Sequence, residues 1–207
     1  ALLRDIKMQV LQVNTRRETG RKAQMQNISA AKAVSDVVRT TLGPRSMLKM
    51  ILDASGGIVI TNDGNAILRE IDVTHPAAKS MIELARSQDE EVGDGTTSVI
   101  ILAGEILHLS IPFLEKDVHP TVIARAFSKA LEKAVEIIDA KIAFPLDVEN
   151  REELLKIVRS SVGTKFTARL GDLVPNLALD AVQTVKTVGS DGKSAEIDIK
   201  KFAKVEK

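Results

Sequence analysis

The run "RSQDEEVGDGTTSVIILAGEIL", residues 86–107, sets Gly93 and Gly95 on either side of Asp94 and follows them with three hydroxyl side chains, Thr96, Thr97 and Ser98. The two glycines free the backbone for conformations that other residues resist. The hydroxyls open an apolar, helix-like segment, and a helix start offers unpaired N–H groups and the positive end of a dipole to an anion. A carboxylate in the same turn would repel phosphate unless a cation stood between them. Asp94 then makes sense as an Mg²⁺ ligand bridging to a polyphosphate. Taken locally, the same letters also suit a plain N-cap, because Asp and Thr are both good helix caps.

Three other stretches carry chemistry of the same kind. Leu42-Gly43-Pro44-Arg45 ends a helix with a glycine that lets a ligand approach the backbone, with Arg45 and Lys49 near enough in sequence to meet phosphate; an ordinary helix stop reads the same way. Asn62-Asp63-Gly64 is a turn whose carboxylate is suited to orienting a water for attack on a γ-phosphate, or is only a turn. Gly163-Thr164-Lys165 is a phosphate contact or a solvated loop. No G-x-x-x-x-G-K-[ST] occurs, so a nucleotide site here must be built on another plan than the P-loop.

The elements that must position these groups are mostly helices. Ile28, Ala31, Val34, Val38 and Leu42 make one face of a helix from Asn27 that Gly43-Pro44 stops. "GGIVITNDGNAILREI" places a short strand before the Asn62-Asp63-Gly64 turn, which leads into a second strand or a short helix. Pro76 opens a helix with Ala78, Met81, Ile82 and Ala85 inward. Residues 99–109 read as a helix apolar nearly all round and so buried. Residues 121–142 are amphipathic, with Ile123, Phe127, Leu131, Val135 and Ile138 on one side.

Phe144-Pro145 breaks the pattern, and two further helices, at about 149–161 and 170–185, precede a terminal strand in "AEIDIKKFAKVEK". Another strand is expected at Ile6, Met8 and Val10, with a partner yet to be found. The expected class is mainly α with small β elements, divided into a helical body over residues 1–145 and a smaller piece over 146–207. The acidic group Asp89 to Glu91 reads as a solvated helix end.

Composition narrows the function. Without cysteine there is no disulfide scaffold, and His75, His108 and His119 lie too far apart for a zinc site and read as structural. With 29 basic against 28 acidic residues, no Trp and no Tyr, neither a basic face nor a stacking platform for nucleic acid is evident. The longest apolar stretch, residues 99–111, falls short of the ~20 residues of a membrane span. The expected setting is the cytosol.

In order and wording, "TTLGPRSMLKMI", "ITNDGNAILREIDVTHP" and "QDEEVGDGTTS" resemble the signature segments of the group II chaperonins, ATP-driven double-ring folding machines, and above all those of the eukaryotic cytosolic complex. The resemblance runs from about Asn14 to the last residue. It implies a chaperonin equatorial domain, a helical bundle with small β elements, over 1–145 and the first arm of an intermediate domain over 146–207. The apical domain and the C-terminal half are expected beyond Lys207.

The same resemblance implies ATP or ADP with Mg²⁺ as cofactors. Asp94 becomes the metal ligand, with Gly95, Thr96, Thr97 and Ser98 around the phosphates. Leu42, Gly43 and Pro44 meet the nucleotide, Asp63 positions or activates the attacking water, and Thr164 with Lys165 reports the γ-phosphate. The implied partners are other subunits of a hetero-oligomeric ring, which the N-terminal strand would pair with, and unfolded client proteins held by the apical domain. Neither nucleic acid nor a membrane is expected. One departure touches the phosphate neighbourhood: Arg45, Ser46, Met47 and Leu48 stand where the family commonly has Lys-Gly-Met-Asp. The competing expectation is a truncated, non-enzymatic scaffold that pairs with ring subunits.

Overall fold

A computed structural model describes residues 17–43, 45–53, 56–163, 169–188 and 195–202. The chain is mainly helical, as its periodicities predict. Helix α1 (Gly20–Arg39) is longer than its apolar face alone suggests, taking in residues 20–26 ahead of the expected start at Asn27. Its buried stripe is Ile28, Ala31, Val34 and Val38, whereas Leu42 lies beyond the helix and is half exposed. A two-stranded antiparallel hairpin follows, β1 (Lys49–Leu52) with β2 (Ile58–Thr61), in the register Met50 to Ile60 and Ile51 to Val59. The sequence pattern gave β2 and missed β1. The turn into α2 (Gly64–Glu70) resolves the choice after Asp63 in favour of a short helix.

Helix α3 (Pro76–Glu91) starts on proline, with the His75 ring nitrogen accepting the Ala77 N–H, and buries Ala78, Met81 and Ala85. Helix α4 (Thr96–Leu109) lies on α1 and α3. The α1–α4 approach depends on small residues: a Cβ built on Gly104 would stand 2.4 Å from the Ser35 Cβ, so no larger side chain fits there. Ion pairs bind the same two helices. Glu105 accepts from Lys32 at 2.5 Å and also from Arg39, and Asp36 takes Lys32 at 3.1 Å and Arg39 at 3.0 Å. One core results, centred on Val38, Ile67, Ala85 and Ile100, each at 0 % exposure.

Helix α4 is not buried all round, contrary to its composition. Thr96, Thr97, Ile100 and Gly104 are buried, while Leu102 and Leu109 on the other side are exposed. Among the described residues α4 is covered mainly by α1 and α3, which leaves an apolar face to spare. Together with α5 (Ile111–Glu115) it forms a stretch, Thr96–Glu115, that is long and apolar enough to cross a membrane by length and composition, longer than the 99–111 count suggests. Helix α6 (Pro120–Ile137), capped by the His119 ring and continued by a π-helical segment (Ile138–Ile142), carries the expected amphipathic pattern, but none of its residues is buried.

After residues 143–150 come α7 (Arg151–Val162) and α8 (Leu173–Val185), packed together and tied by Arg151 to Asp180 at 2.7 Å and Arg159 to Asp172 at 2.9 Å. Asn150 caps α7 by accepting the Glu152 and Glu153 N–H groups. Pro175 sits in the first turn of α8 and is buried there, where it breaks no helical hydrogen bond. The terminal strand β4 (Ala195–Ile197) pairs with β3 (Lys186–Val188), which the pattern missed, and leads into α9 (Ile199–Phe202). The strand expected at residues 6–10 lies outside the described residues.

Candidate functional site

The Gly93-Asp94-Gly95 turn bridges α3 and α4. Both glycines take left-handed backbone, φ 75° at Gly93 and φ 76° at Gly95, which a side chain would strain. Gly95 is the N-cap of α4 and has no side chain to cap it, so the helix start keeps its free N–H groups. Asp94 stands one residue ahead and does not cap the first turn; among the described residues its Oδ1 accepts only the Gly95 N–H, at 2.7 Å. Its backbone carbonyl accepts the Gln88 side-chain amide at 2.9 Å, which ties the turn to the end of α3. Of the two local readings of Asp94, the cap is therefore the one this geometry does not use.

At Asp63 the reverse holds. Its Oδ2 accepts the Ala66 N–H at 3.0 Å, the bond of an N-cap, and its own N–H donates to the Thr61 hydroxyl at 3.0 Å. The residue after it is pressed against α4: a Cβ on Gly64 would stand 2.4 Å from Thr97 Oγ1 and 3.1 Å from Thr97 Cα. Asn62 donates to the Ser46 hydroxyl at 3.0 Å, across to the loop that follows Gly43. Gly43 itself has φ 90° and open space where a Cβ would be.

The Asp63 turn is thus seated on the first turn of α4, and Asn62 links it to the loop after Gly43. From α7 the Ser161 hydroxyl, two residues before Gly163, donates to Asp94 Oδ2 at 2.7 Å. Pro44, Thr164 and Lys165 lie outside the described residues.

The hydroxyls after Gly95 divide by exposure. Ser98 is exposed, whereas Thr96 and Thr97 are buried, and Thr97 Oγ1 has no hydrogen-bond partner among the described residues. An orphaned hydroxyl at the start of a helix is a donor held in reserve.

Among the described residues no three His, Asp or Glu side chains gather to hold a metal. The lone Asp94 carboxylate at a helix start would suit Mg²⁺, which takes one or two carboxylates and completes its shell with water and substrate phosphates.

Four residues here escaped the sequence reading as a site. Ser46 and Ser161 are partners across long sequence separations, and no local spacing announces them. Asn65 and Asp89 form a bond at 2.6 Å, with Arg69 at 3.6 Å from the same carboxylate. Asp89 is therefore not part of a merely solvated helix end: it anchors α2 to α3 behind the turn. The charge reversal between Arg69 and Asp89 was the one available signal.

Residues 34–207 match the family model described as the TCP-1/cpn60 chaperonin family. The T-complex protein 1 subunit gamma of Arabidopsis thaliana is 62 % identical over 198 residues, which is 96 % of this chain and 35 % of the relative. The proteins of that name from Oxytricha granulifera and Bos taurus are 63 % and 59 % identical over the same share of this chain, and 35 % and 36 % of their own lengths. The chain spans about a third of the length of these relatives. With a glycine-flanked aspartate at a bare helix start, the turn of Asp63 pressed against it, and a match over most of its length, this chain belongs to the TCP-1/cpn60 chaperonin family.

Proposed function

We propose that this chain supplies the magnesium and phosphate contacts of an ATP-dependent chaperone subunit, one of several in a hetero-oligomeric double ring that assists the folding of cytosolic proteins, with ATP hydrolysis driving ring closure. The observation that carries this reading is the uncapped start of α4 beside a carboxylate that does not cap it. The subunit names of its relatives support the assembly and the chaperone role.

In this reading Asp94 holds Mg²⁺, which neutralises phosphate charge when bound. The free N–H groups of residues 96–98 and the Ser98 hydroxyl face the phosphates, with the Thr97 hydroxyl as a further donor. Gly43, open at its Cα, admits the nucleotide against the backbone between Leu42 and Pro44. Asp63 orients the attacking water, a role it shares with its cap bond to the Ala66 N–H. Thr164 and Lys165, three and four residues past Ser161, sense the γ-phosphate. Residues 1–145 form the nucleotide-binding part and 146–207 the arm that relays its state, while client proteins are held elsewhere in the subunit.

The test is calorimetric titration with Mg-ATP and with ATP in EDTA. Asp94→Asn preserves shape and should lose at least tenfold in affinity for Mg-ATP, with little change in EDTA. Equal losses in both, or none, would remove Asp94 from the metal.

A second reading, a non-enzymatic fragment that binds ring subunits, is favoured by one observation: Met50, Leu52, Ile58 and Ile60 leave one face of the β1–β2 hairpin apolar and exposed. Co-purification with ring subunits that is unchanged in Asp63→Ala and Asp94→Ala would support it.

A further inference from the structure

Ser161 stands out because, among the described residues of the α7–α8 hairpin, its side chain hydrogen-bonds the turn of the site. Its hydroxyl donates to Asp94 Oδ2 at 2.7 Å across a sequence separation of 67 residues. The other oxygen, Oδ1, takes the Gly95 N–H at 2.7 Å, so among the described residues each carboxylate oxygen is held by one donor from a different side. Each carboxylate oxygen has two acceptor sites, and one donor on each leaves the other free for a cation. Carboxylates that bind metals are commonly held in this way, and removing the holding group typically weakens the metal by ~10–100-fold.

Resting on the reading of Asp94 as the Mg²⁺ ligand, we infer that Ser161 is a positioning residue: its hydroxyl fixes the Asp94 carboxylate for the metal and makes metal affinity depend on where α7 sits. The dependence follows from the chain path. Asp94 belongs to the turn between α3 and α4, whereas Ser161 lies at the end of α7, a helix capped by Asn150 and ion-paired to α8 rather than to the core. Arg159, two residues earlier, bonds Asp172 of α8, so the Ser161 turn travels with the hairpin. A swing of α7 and α8 away from α4 breaks the bond to Oδ2 and leaves Asp94 held only by its neighbour's N–H. The affinity for the cation should fall as it does so.

The experiment is a Mg²⁺ titration of the complete natural polypeptide at saturating ADP, followed by calorimetry, with ADP affinity in EDTA measured beside it. Ser161→Ala should weaken Mg²⁺ by tenfold or more while changing metal-free ADP affinity by less than twofold, and Ser161→Thr, which keeps the hydroxyl, should stay within threefold of the parent. A structural role would move both affinities together, and that result would overturn the inference. So would Mg²⁺ affinity within twofold of the parent in Ser161→Ala. Asp94→Asn separates the two levels. If it abolishes the Mg²⁺ response and Ser161→Ala does not, only the positioning role falls; if neither changes it, the assignment of Asp94 falls as well.

Discussion

The Asp63 carboxylate already serves the fold, since it accepts the Ala66 N–H at 3.0 Å and starts α2, the helix whose Ile67 and Leu68 are the most deeply buried of its residues. Any role toward a water is shared with that bond, so substitution at Asp63 mixes two effects. They can be separated by size and charge. Asparagine caps about as well as aspartate, while alanine at an N-cap costs ~0.5–2 kcal/mol. Asp63→Ala should therefore lower the unfolding free energy by about 1 kcal/mol, measured by urea denaturation, and Asp63→Asn should keep the cap. Hydrolysis should fall in both variants if the charge orients the water, and in neither if Asp63 is only a cap. Asp94 is a cleaner probe, because its side chain caps nothing in α4.

At the scale of elements, the α1–α4 pair sets where the first turn of α4 points, and charge holds that pair at its solvent edge. Hydrogen bonds from Lys32, then from Arg39, hold the Glu105 carboxyl below its usual range; the bond to Glu105 is in turn the main cause that raises Lys32. A carboxyl depressed in the folded state adds stability above its unfolded pKa and loses it as pH falls through the folded one. The difference in stability between the parent and Glu105→Gln should be flat around neutrality and close as pH falls below about 4. Thermal melts across that range check it, and a gap that persists in acid would mean that shape, not charge, joins the helices. High salt should narrow the neutral gap, since the pairs are solvent-facing.

This layer was only partly legible in the sequence. The stripe of α1, the Pro76 start of α3 and the glycines of the Asp94 turn are written in neighbouring letters, so periodicity and residue type find them. The strand β1 and the Ser46–Asn62, Asn65–Asp89 and Ser161–Asp94 contacts depend on residues brought together from afar, and β1 carries too few alternations to stand out from its loop. The burial expected of α4 misled for a different reason. An apolar pattern says which face seeks cover, and only the packing says whether cover is present.

Over the whole molecule, the consequence is a large apolar surface left uncovered by the described residues. On α6 and its π-helical continuation, Phe127, Leu131, Val135 and Ile138 are all exposed, Leu131 at 65 %, although they form the one side that the pattern marks for burial. Contiguous apolar patches of this kind on a soluble chain drive association. The 207-residue chain should therefore self-associate with rising concentration, seen as a shift in sedimentation velocity. Replacing Leu131 with Glu should weaken that association while leaving unfolding stability within about 0.5 kcal/mol, as is usual for exposed positions. Ile100→Ala, at a position with 0 % exposure in the core, should behave the other way. It should cost ~2–5 kcal/mol of stability and leave the α6 surface as sticky as before. If Leu131→Glu instead destabilised the monomer as much as Ile100→Ala, α6 would be packed against the body of the chain in solution, and the apolar face would be an internal one after all.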